Sequence, residues 1–95
     1  MSTKEAYQQK LEAQLYEWKA EIDKLQAKAD KAEADARIEY NRQIKDLKAK
    51  REAAVKKLEE LKQAGEDAWE GLKAAIESAW QEFGKALKSA TSKFK

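Results

Sequence analysis

The sequence predicts an all-α protein: a long coiled-coil helix followed by a shorter amphipathic helix, folded as an antiparallel helical hairpin that assembles into an oligomeric bundle. Three observations predict it. Charged residues fill 40% of the 95 positions, and Ala, Lys, Glu and Leu are the commonest types, the composition of long helices. Pro is absent and Gly occurs three times, so few turns can be built. Apolar residues follow a heptad in the first two thirds and an eleven-residue repeat in the last third. The expected division is residues 1–64, the long heptad helix, and residues 65–95, the amphipathic repeat helix.

Ser2 is placed to cap the first helix, with Glu5 three residues on completing a capping box. Leu11, Leu15, Trp18, Ile22, Leu25, Ala29, Ala32 and Ala36 then alternate spacings of four and three. After Leu25 the seam is alanine only, which makes that stretch thin and weakly held. From Ala36 through Tyr40 to Ile44 the spacing is four plus four, a stutter that unwinds a supercoil without ending the helix. A bend at Lys28–Asp35 is the alternative. Because Ala, Lys and Glu favour helix, the helix is expected to run straight through.

The seam resumes with Ile44, Leu47, Arg51, Ala54, Leu58 and Leu61. Arg51 stands at a core-type position. Buried, it would cost stability and specify register; the simpler reading packs its aliphatic stem and leaves the guanidinium in water. The residues expected to form an oligomer interface are Leu11, Leu15, Trp18, Ile22, Leu25, Ile44, Leu47, Leu58 and Leu61. Trp18 is bulky for a two-stranded core, so three or four helices are expected in each cross-section.

Gly65 is the best break. Lys56, Lys57 and Lys62 precede it and suit a helix C-terminus, while Glu66, Asp67 and Glu70 follow and suit an N-terminus. A glycine just past a helix usually takes the left-handed conformation, so Gly65→Ala is expected to destabilise. The competing reading is one continuous rod, because the apolar phase carries on through Leu61, Gly65, Ala68 and Leu72. With the break, a helix of about 62 residues and one of about 28 result. Folded back, residues 66–94 would cover 37–64 and leave 3–36 for another chain.

The repeat reads EDAWEGLKAAI from Glu66, ESAWQEFGKAL from Glu77 and KSATSKFK from Lys88. Eleven residues make three turns, so Trp69, Leu72, Ile76, Trp80, Phe83, Leu87 and Phe94 return to one stripe. Such a face is either a packed core or an amphipathic surface that lies on lipid or another apolar phase.

Charge is unevenly spread. The net charge of +2 divides into −2 for residues 1–36, +4 for 37–65 and zero for 66–95. Opposite signs favour laying the first two blocks side by side. The basic block interleaves with Glu52, Glu59 and Glu60, so a solvated face is expected and nucleic acid is not. With no His and no Cys, the nucleophilic triads and the nitrogen and thiolate ligands of zinc are missing. No catalytic residue, cofactor site or metal site is expected. Neither a secretory signal nor a membrane-spanning run is read, and a cytoplasmic location follows as the default.

From MSTKEAYQQKLEAQL through EIDKLQAKADKAEADA to AGEDAW the chain resembles small bacterial proteins described only as coiled-coil-containing. That resemblance implies a helical assembly and no activity. Residues 66–95 are similar to the eleven-residue repeats of apolipoproteins, phasins and desiccation-related late-embryogenesis-abundant proteins, which implies a lipid, polymer-granule or drying surface. The expected function is a non-enzymatic structural or scaffolding protein, with further copies of the chain as its partner. A peripheral lipid- or granule-surface protein anchored by residues 66–95, or an adaptor for one partner protein, is the alternative.

Overall fold

The computed structural model describes residues 3–93. Helix α1 spans Thr3–Asp30 and α2 spans Ala34–Gln63; a 3-10 turn at Trp69–Leu72 leads into α3, Lys73–Lys93. All described secondary structure is helical, and α1 and α3 both pack on α2. The helices run up, down and up in a rod of 51 × 20 × 19 Å. Ser2, and with it the predicted capping box, lies outside the described residues, as does Phe94.

The long helix does not run through. It stops at Asp30 and restarts at Ala34, so the hairpin expectation becomes a three-helix arrangement. The reason is magnitude. Turning the chain forfeits a few backbone bonds, each worth about 0.5–1.5 kcal/mol net. In exchange Leu11, Leu15, Ile22 and Leu25 meet Ile44, Leu47, Leu58 and Leu61, all buried, and each such side chain contributes about 1.5–3 kcal/mol. The break falls inside the alanine stretch, where least packing is lost. Ala29 is fully buried, Ala32 is half-buried in the turn and Ala36 is exposed, so the last two leave the seam. The apparent stutter from Ala36 to Ile44 is the phase change across this turn.

The turn uses neither Gly nor Pro. Lys31 and Ala32 N–H groups bond to the carbonyls of Lys28 and Ala29 at 3.2 and 3.1 Å. Arg37 then reaches back: its Nε donates to the Ala29 carbonyl at 3.3 Å, and its Nη2 to Asp30 and Ala32 at 3.4 and 3.1 Å. A cation thus sits on the carbonyls that end α1, where the helix dipole favours it.

α2 lies antiparallel on α1. Arg37 with Ala29, Arg51 with Leu15 and Lys4 with Lys62 are three side chain–backbone bonds centred on Glu33. The break near Gly65 is present, with α2 ending at Gln63 and Ala64 extended at φ −74, ψ 143. Gly65 itself is not left-handed, contrary to the expectation, since no described residue has positive φ. Lys4 Nζ instead donates to the carbonyls of Lys62 and Ala64, and the Gly65 carbonyl accepts from Ala68 and Trp69. The final α-helix begins at Lys73 rather than Glu66, because Trp69 to Leu72 tighten into 3-10 geometry.

Candidate functional site

The residues singled out by pattern converge on one feature, the interior seam. Every predicted interface residue is buried within the single chain except Trp18, which is half-buried. On α3 and the turn before it, Trp69, Ile76, Trp80 and Phe83 are buried, and Leu72 and Leu87 are half-buried. The α1 seam expected to await another chain is covered by α2 and α3 of its own. Of the two readings of the stripe, packed core or amphipathic surface, its described members take the first, with Leu72 and Leu87 half-buried at the edge.

The core has two parts. Leu11, Leu15, Leu58, Leu61, Trp69, Ile76 and Trp80 pack near the Gly65 turn. Ile22, Leu25, Ile44, Leu47, Phe83 and Ala90 pack toward the Glu33 turn. Trp18 touches both parts. Its ring stacks on Phe83 with centroids 4.1 Å apart and planes 20° apart, and meets Trp80 at 5.3 Å and 46°. The bulk of Trp18 is accommodated by three helices in cross-section, as its size required.

A second aromatic pair caps the seam. Tyr7 and Trp69 lie 5.8 Å apart, tilted by 41°, and Lys73 Nζ stands 5.4 Å from both ring centroids. A cation over two ring faces is attracted by both quadrupoles. Burial, and then the nearby Glu77 carboxylate, push the Tyr7 hydroxyl above its ordinary pKa. The Trp80 indole N–H is buried with no hydrogen-bond partner among the described residues.

Among the described residues two ion pairs join different helices. Lys93 bonds Glu39 across α3 and α2, and Lys62 meets Glu12 across α2 and α1 at 3.3 Å. Glu39 is held at about 2 by the Lys93 hydrogen bond first and Arg42 second. Glu12, then Glu59, raise the pKa of Lys62. Other ion pairs among the described residues are local i,i+3 or i,i+4 contacts, such as Lys50 with Asp46 at 2.9 Å. The opposite signs of the first two blocks are therefore expressed through one direct α1–α2 bridge among the described residues.

Arg51 is half-buried, and its Nε donates to the Leu15 carbonyl at 3.3 Å. Beside it a groove of about 430 Å³ runs between α1 and α2. Among the described residues no three His, Cys, Asp or Glu side chains gather to hold a metal, and no helix is long and apolar enough to cross a membrane.

Sequence reasoning missed Arg37, Lys73 and the partnership of Tyr7. A signal for the last was present: Tyr7 and Trp18 are eleven residues apart, as are Trp69 and Trp80. Fold and seam together define an all-α three-helix bundle closed by aromatic contacts between two parallel helices. No protein-family model, curated protein or solved structure matches the chain.

Proposed function

We propose that this chain is a non-enzymatic structural protein, a charged helical rod of fixed length that scaffolds or spaces other components and associates with further copies. The observation that carries this reading is the burial of the seam's leucines and isoleucines on α1 and α2, with Trp69, Ile76, Trp80 and Phe83, inside one 51 Å rod. A helix pair with an open seam would be an unfinished assembly, whereas this bundle is a finished unit. The Glu39 carboxyl is held at about 2 by its hydrogen bonds from Lys93 and Arg42. That is away from the range in which a general acid or base works near neutrality.

Association with further copies then uses the outer faces. Tyr16 on α1 and Ile38 on α2 remain 78% and 69% exposed, the large apolar side chains available there. Sedimentation equilibrium at micromolar concentration tests this. Mass above the monomer that Tyr16→Ser reduces is expected, and a monomer at every concentration removes self-association from the function. The lipid- or granule-surface reading is weaker, because α3 must first leave the bundle and uncover Trp18 and Tyr7. Co-sedimentation of the folded protein with neutral and anionic vesicles, with loss of the near-ultraviolet aromatic signal, would reinstate it.

A further inference from the structure

Arg51 interrupts the α2 seam between Leu47 and Ala54, which are 1% and 0% exposed. A leucine there would continue the interface with α1. The arginine lies instead beside a groove of about 430 Å³ between α1 and α2, a volume within the roughly 300–1,000 Å³ common for small-molecule sites. Ile22, buried, and Val55, half-buried, give this groove an apolar side.

The polar side carries three cations, Lys19, Lys48 and Arg51, and two carboxylates, Asp23 and Glu52. Bonding of Arg51 Nε to the Leu15 carbonyl orients the guanidinium, and its two Nη groups have no partner among the described residues. Lys48 lines the same groove and is likewise without an ion pair among the described residues. Lys19 is engaged by Asp23 at 4.0 Å. The carboxylates of Asp23 and Glu52 both oppose an incoming anion, a dianion more strongly than a monoanion.

We infer that this groove binds a small amphipathic monoanion, an alkyl carboxylate whose head meets Arg51 and Lys48 and whose chain lies on Ile22 and Val55. The guanidinium fork matches a carboxylate bidentately, and Lys48 adds a point charge. Burial of the alkyl chain supplies the remaining affinity. The inference stands independently of the assembly described above.

The test is titration of the full chain with octanoate below its micellar concentration, followed by amide chemical shifts. Saturable shifts at Ile22, Arg51 and Val55 are expected. Arg51→Leu should weaken binding by about tenfold or more, since it removes charge-assisted hydrogen bonds. Because leucine suits the seam, this variant should fold with at least wild-type helicity. Lys48→Gln leaves the apolar floor unchanged and should weaken binding by about threefold, as expected for a more exposed charge. Octanol and inorganic phosphate should each bind less tightly than octanoate. Absence of saturable octanoate binding, or wild-type affinity in both variants, overturns the site. Octanol binding as tightly as octanoate overturns the role of the charge, and phosphate doing so overturns that of the chain.

Discussion

Trp18 and Phe83, 65 positions apart in the chain, stack face to face across the α1–α3 interface at 4.1 Å. This contact joins the two halves of the core, since Trp18 packs against both and Phe83 is fully buried. Phe83→Ala should therefore destabilise by about 3–5 kcal/mol, read as a lowered urea midpoint. Trp18→Phe keeps a ring in place and should cost less. Equal losses for the two substitutions would remove Phe83 from the centre of the core.

Gly65→Ala should raise stability by about 0.4–1 kcal/mol through the unfolded chain. The reason is local: Gly65 has no positive φ, and a Cβ there meets nothing within 4 Å. The opposite sign was expected from sequence, which assigned Gly65 the left-handed conformation common just past a helix. A lowered thermal midpoint in the alanine variant would restore that assignment.

Arg37→Ala should lower stability by about 1 kcal/mol, because three carbonyls at the end of α1 lose a charged donor. Amide exchange at Lys31 and Ala32 should accelerate more than exchange at the middle of α1. Uniform acceleration would mean that Arg37 acts on global stability and not on the turn.

Acid should release the end of α3. The Glu39 carboxyl is held at about 2, below its ordinary 4.5, so its contribution is complete above about pH 4.5 and disappears as pH falls through about 2. Helicity near Lys93 should fall over that window in the wild type and be pH-independent there in Glu39→Gln. At the alkaline end the sign reverses. The pKa of Lys62 is raised, so its contribution with Glu12 is complete below the ordinary lysine value and declines as pH rises through the folded one.

Salt should matter little to the fold. The Lys62–Glu12 bridge is solvent-exposed, and such pairs contribute only about 0–1 kcal/mol each. A thermal midpoint that drops steeply between low and moderate salt would show that the charge blocks hold the bundle together.

Membership of the seam was legible, because helical periodicity decides which side chains share a face. Leu11, Leu15, Ile22, Leu25, Ile44, Leu47, Leu58 and Leu61 are all interior. What covers the face was not legible, since periodicity says nothing of the partner. The turn at Lys31–Glu33, inside the Lys28–Asp35 stretch that sequence offers only as an alternative bend, ranks second to a straight helix for a related reason. Each residue there favours helix or tolerates it, and only burial far away in sequence makes the break worthwhile. One local trace existed, with Lys28 and Lys31 ahead of Glu33 and Asp35. The same charge order at Gly65 had been read as a helix end. The groove at Arg51 was half legible: the misfit residue was visible, while the space beside it required two helices to be placed.

Three is an odd number of helices, and that decides where the chain leaves the rod. Lys4 lies against the Ala64 carbonyl at the pole of the second turn, and Lys93 against Glu39 near the pole of the first. Thr3 thus lies toward the pole of the second turn and Lys93 toward the other, level with Glu39. A peptide stitching them together would have to run back along most of the bundle, so circular permutation is costly here. Tandem copies joined end to end would add length and not girth.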